Sequence, residues 1–122
     1  MVLIFTDTEE LDRELSKKID DSRIVYYPEY VLEEPEARIL IAAVQNNKYN
    51  FKEFMFKVRE KNIQVILILE SDKAKELKEA LTLGIYDIIF DPFSVDDVIK
   101  KIKSPTRFSE ISKYVKDILE SE

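Results

Sequence analysis

The chain contains no His and no Cys, so carboxylates, lysine ammonium groups and hydroxyls must supply any chemistry it performs. Imidazole bases, thiol nucleophiles, disulfides, thiolate zinc sites and axial haem histidines are excluded by composition. A bound metal would need oxygen ligands. The candidates are Asp7, after the apolar run Val2–Phe5, then Glu70, after the run ending at Leu69, and Asp91, after the run ending at Phe90. If these runs are parallel strands, the three acids reach one end of a sheet, a rim able to hold Mg²⁺ or Ca²⁺ with Asp7 and Asp91 as ligands. The alternative is that they are solvated loop carboxylates, one with its pKa raised by like charge. No spacing among the Asp, Glu, Lys, Ser, Thr and Tyr residues marks a catalytic set, so no enzyme is expected. A lone glycine, Gly84, excludes the phosphate-cradling loops that need several, and with them ordinary nucleotide chemistry.

The elements that position these acids are written in the hydrophobic pattern. Short continuous apolar runs alternate with segments of helical spacing, the signature of alternating β and α. The strand candidates are Val2–Phe5, Ile24–Tyr27 (closed by Pro28), Ile39–Val44, Ile63–Leu69 and Tyr86–Phe90. Leu11, Leu15 and Ile19 repeat every four residues, and Thr6 with Glu9 three residues on has the form of a capping box for that helix. Phe51, Phe54, Met55 and Val58 predict a helix that buries large side chains, with Phe56 as the odd residue out. Ala74, Leu77, Ala80 and Leu81 mark the next helix, and Gly84 stands where a left-handed C-cap is wanted. Ser94 caps a further helix carrying Asp96 and Asp97 in its first turn. Residues 28–37, with two prolines and four glutamates, predict an irregular segment or a short turn of helix. A last helix is expected over 107–120, with Phe108, Ile111, Val115, Ile118 and Leu119 on one side.

These units predict an α/β, flavodoxin-like, doubly wound five-stranded parallel sheet in the order 2-1-3-4-5 with an additional C-terminal helix. The division is residues 1–103 for the domain and 104–122 for a helical extension or linker. At 122 residues the chain is one domain with an ordinary core. Residues 1–37 carry eleven acids against four bases, a net of −7 where the whole chain has −6. No basic stripe exists, so nucleic acid is not an expected partner, and no run is long and apolar enough to span a membrane. With no signal-peptide pattern a cytoplasmic location is expected. The scarcity of Asn and Gln with abundant Glu and Lys is the bias of heat-adapted proteins. Tyr26, Tyr27 and Tyr30 beside Pro28 form an unusual acidic, aromatic segment that suits a partner site.

Gly84-Ile85-Tyr86-Asp87-Ile88-Ile89-Phe90-Asp91-Pro92-Phe93, preceded by a helix and by Ile63-Gln64-Val65-Ile66-Leu67-Ile68, resembles the end of a response-regulator receiver (CheY-like) domain, and the similarity covers residues 1–103. The resemblance implies self-phosphorylation through an acidic pair after the first strand that holds a divalent cation, an acceptor Asp after the third, a Thr or Ser after the fourth and a Lys before the Pro. Position by position, the acidic pair falls on Thr6 and Asp7. The acceptor falls on Ala43, or on Ala42 if the register slips by one. The hydroxyl falls on Leu69, with Ser71 beyond it, and the Lys falls on Asp91. A methyl group cannot take a phosphoryl group, and an acid in place of the Lys reverses the stabilising charge.

The resemblance is therefore to a degenerate pseudo-receiver: a non-catalytic protein–protein interaction or regulatory module, not phosphorylated on aspartate. The runner-up is a small-molecule or metal-sensing domain using the rim around Asp7 and Asp91, with no cofactor beyond weakly held Mg²⁺. Receiver-like domains lacking the acceptor also occur at the front of TadZ- and CpaE-type ATPases, so a protein partner or downstream domain is expected. A homodimer is also expected, in which the C-terminal helix contributes to a face mixing Lys73, Lys75, Lys78, Lys100 and Lys101 with Glu76, Glu79, Asp87, Asp96 and Asp97.

Overall fold

A computed structural model describes residues 1–120. Five parallel strands, β1 (Val2–Phe5), β2 (Ser22–Ile24), β3 (Ile39–Ala43), β4 (Gln64–Leu69) and β5 (Asp87–Phe90), form one sheet in the order β2-β1-β3-β4-β5. Six helices accompany them: α1 (Glu9–Lys18), α2 (Pro28–Glu33), α3 (Phe51–Glu60), α4 (Glu76–Thr82), α5 (Val95–Lys103) and α6 (Phe108–Glu120). This is the expected flavodoxin-like architecture with its extra helix.

Alternation along each strand builds two cores. Leu3, Phe5, Leu40, Ala42, Val65, Leu67, Leu69 and Ile88 meet Val31 of α2, Phe54, Met55 and Val58 of α3, Leu77 and Ala80 of α4 and Ile111 of α6. On the opposite face, Val2, Ile4, Ile41, Ile66, Ile68 and Ile89 meet Leu15 of α1 and Val98 of α5. β1, β3 and β4 are covered on both sides, which is why their sequences are nearly continuous in apolar residues. Gly84 has φ +77° and directly follows Leu83, the C-cap of α4, taking the left-handed turn that glycine adopts at least cost. Ser94 caps α5 in a reciprocal capping box, its hydroxyl accepting from Asp97 N–H and Asp97 carboxylate accepting from Ser94 N–H.

The structure departs from the sequence reading in several places. β2 lies two residues earlier than expected, so Tyr26 and Tyr27 leave the sheet edge and stand exposed. The short turn of helix expected within residues 28–37 does form, as Pro28–Glu33, with Pro28 in the first turn where its missing N–H costs nothing. No capping box forms between Thr6 and Glu9. Thr8 is the N-cap of α1 and makes no side-chain cap bond, while the Thr6 hydroxyl turns to Asp12 and accepts from Thr8 N–H at 3.2 Å.

The C-terminal helix is packed on its own domain. α6 lies against α4, with Ile111 buried and Tyr114, Val115 and Ile118 packed on the larger core. Tyr86 meets Phe108 edge-on at 5.7 Å and Phe90 meets Tyr114 at 5.9 Å. Asp87, expected on an outer pairing face, is instead 5% exposed and ties this helix down. Its carboxylate accepts from Gln64 Nε2 at 2.9 Å and from Thr106 N–H at 2.6 Å. Glu76 is also buried, so neither acid is available to a second chain. Phe108 and Leu119, expected on the apolar side of the helix, remain 53% and 66% exposed.

Candidate functional site

The carboxyl ends of β1, β3, β4 and β5 form one rim, the usual functional edge of an open parallel sheet. Phe5 is paired with Ala42, Ala43 with Ile68 and Leu69 with Phe90. Thr6, one residue past Phe5, therefore stands beside Ala43, and Asp91 N–H donates to Leu69 C=O at 3.1 Å. Thr6, Ala43 and Asp91 line a cleft of about 670 Å³ together with Leu11, Phe93 and Val95, edged by Glu10, Glu14 and Asp96. Leu69 is buried, and with Glu70, Lys73 and Glu76 it lines an adjoining cavity that shares Ala43 and Asp91. Asp91 precedes a cis peptide bond to Pro92. Asp7 lines neither space. It has φ +58° and its carboxylate is ion-paired at 3.0 Å with Lys48, whose Nζ also donates to Tyr26 C=O at 3.1 Å.

Behind Ala43 the rim is closed by polar and aromatic groups that sequence reasoning did not single out. Tyr49 hydroxyl donates to Ala43 C=O at 2.7 Å, and its ring packs on Phe54 and Phe5 with centroids 4.6 and 5.7 Å away. Burial pushes this phenol well above its ordinary value. Gln45 Nε2 donates to Phe5 C=O at 3.1 Å, capping the end of β1. No periodicity signals loop residues such as Lys48, Gln45 and Tyr49. Asp12 did leave a signal: with Leu15 and Ile19 it shares the inward-facing i, i+3, i+7 stripe of α1, where a charge is out of place.

Asp12 is 2% exposed and accepts the Thr6 hydroxyl. Desolvation raises its pKa above the ordinary 3.8 and nearby Asp7 adds to the effect, while hydrogen bonds from Thr6 and the charge of Lys48 oppose it. A raised acid binds its proton more tightly in the folded chain, so its stabilising contribution is present below pH 3.8 and is lost as pH climbs through the raised value. Asp12→Asn, which keeps an acceptor for Thr6, is therefore expected to stabilise the protein at pH 7, and the gap from wild type should shrink towards pH 4. Urea midpoints at the two pH values measure this.

No family model matches the chain, and no curated protein matches it. Solved structures do. The response regulator DrrB of Thermotoga maritima, an OmpR/PhoB homolog, superposes with TM-score 0.69 at 20% identity over 89% of this chain and 52% of its own. This chain thus spans about half the length of DrrB. A CheY-like receiver domain protein from Methanospirillum hungatei JF-1 gives TM-score 0.69 at 14% identity, covering 95% of this chain and 96% of its own. A CpaE2 pilus assembly protein from Sinorhizobium meliloti 1021, itself described as putative, gives 0.59 at 14% identity, over 84% and 96%.

A receiver site implies a divalent cation, and the donors present do not fit one. Thr6 is committed to Asp12, Asp7 to Lys48, and Ala43 offers a methyl group. Among the described residues no group of three or more Asp or Glu converges as a metal site. The architecture, the strand order and the neighbours agree on one point: this chain has the fold of the CheY-like response-regulator receiver domains.

Proposed function

We propose that the chain is a pseudo-receiver, a regulatory interaction module that takes no phosphoryl group on aspartate and acts by binding a protein partner or a neighbouring domain. The observation that carries this reading is the pair Ala43 and Asp91 on one cleft. The first supplies a methyl where a carboxylate would attack phosphorus, and the second supplies negative charge where a cation would meet the transferred group. What the fold keeps without that chemistry is a surface. Acetyl phosphate or beryllofluoride with Mg²⁺ is expected to leave the intact mass and the amide spectrum unchanged. An acid-labile phosphoryl adduct on Asp7 or Asp91 would refute the reading.

A second reading, small-molecule sensing at the rim, is favoured by the size of the cleft beside Asp91, about 670 Å³. A thermal-shift screen separates the two, because a ligand that binds the native state must raise the melting temperature. Cation affinity at Asp7 and Asp91 is expected to be weak, since Lys48 already neutralises Asp7.

A further inference from the structure

We propose that the outer face of α2 and the loop before it dock an arginine-bearing basic polypeptide segment. Tyr26, Tyr27 and Tyr30 are 54%, 59% and 59% exposed, and the rings of Tyr27 and Tyr30 meet at 6.1 Å with a 45° tilt. Tyr27 and Tyr30, in ring contact and each more than half exposed, form a small aromatic platform, the composition of an interface centre rather than of ordinary surface.

The platform is anchored from below. Val31 of α2 is fully buried and Leu32 packs on the larger core. Tyr30 N–H closes onto Tyr27 C=O at 3.2 Å, and Lys48 Nζ holds Tyr26 C=O at 3.1 Å while paired with Asp7. Backbone fixed in this way has little entropy left to lose on docking, which favours tight association for a small contact.

Charge selects the occupant. Residues 24–37 contain four glutamates and no Lys or Arg. Glu29 and Glu33 are exposed one helical turn apart on α2, and Tyr30 lies on the same side. Glu34 is already paired with Arg23 at 3.5 Å. A ring pair with two exposed carboxylates on the same short helix matches a guanidinium, which stacks on a ring and directs its N–H fork to an acid. An apolar partner would desolvate Glu29 and Glu33 without compensation, and an acidic one would be repelled.

This inference extends the interaction-module reading and rests on it, but the two fail separately: phosphorylation is read by mass and docking by amide shifts. The test titrates the full isotope-labelled chain with oligoarginine and oligolysine peptides of equal length. Oligoarginine is expected to shift the amides of residues 26–33 and to bind about tenfold more tightly than oligolysine. Tyr27→Ala/Tyr30→Ala should erase that tenfold preference with the sheet amides unmoved, and Glu29→Lys/Glu33→Lys should abolish binding of both peptides. Equal binding of the two peptides that the tyrosine pair does not change would overturn the proposal in favour of diffuse charge attraction. Shifts centred on the cleft between α1 and α5 would also overturn it. So would a self-associated chain that the tyrosine variants dissociate, because a second copy would then be the occupant.

Discussion

An Ala43→Asp/Asp91→Lys variant is expected to acquire an acid-labile phosphoryl group from acetyl phosphate at least about a hundredfold faster than Ala43→Asp alone. Restoring the carboxylate alone provides a nucleophile but sets it on the cleft that Asp91 also lines. An incoming phosphoryl group then meets two negative charges and no cation. Replacing Asp91 removes one charge and supplies the opposite one at the position where charge develops, a kind of contact worth about 10²–10³ in rate. Asp91 is exposed, so the substitution asks little of the fold. Intact mass before and after acid treatment measures the outcome. Equal, rapid labelling of the single and double variants would show that Asp91 is not what silences the site.

Truncation after Ser104 should lower stability by about 3–5 kcal/mol, because it uncovers apolar core and strips a buried carboxylate of a donor. The apolar part comes from Ile111 and the side chains packed with it, Tyr114, Val115 and Ile118. The polar part comes from Asp87, which loses its 2.6 Å bond from Thr106 N–H. Against a total of about 5–15 kcal/mol for an ordinary domain, this brings the chain close to unfolding. Urea denaturation of the full and truncated chains measures the loss, and sedimentation of both separates two roles for α6. A helix that serves its own domain changes the urea midpoint and leaves the mass in solution alone; one that also joins two copies lowers that mass.

The sequence by itself determined the alternating architecture, because each strand and helix declares its buried face through local periodicity. Continuous runs such as Ile63–Leu69 mark strands covered on both sides, and Phe51, Phe54, Met55 and Val58 mark the buried stripe of α3. Gly84 and Ser94 announced their caps for the same reason: a left-handed backbone or an orphan N–H is a requirement of a few neighbouring residues. The chemical poverty of the rim at Ala43 and Asp91 was equally legible, since a missing functional group stays missing in any conformation.

Only the tertiary structure decided which polar groups pair. Lys48 lies in a loop forty-one residues from Asp7, and no local pattern couples them. The Thr6 hydroxyl had a nearby capping partner in the sequence, yet it went to Asp12, whose carboxylate α1 had carried into the interior. Asp87 reads as an exposed strand-end acid until the α5–α6 connection brings Thr106 N–H to it, after which burial of Ile111 follows from the same docking. Apolar burial is non-directional and nearly local in its signature, whereas a hydrogen bond or ion pair depends on the separation of two particular atoms, which the folded chain alone sets.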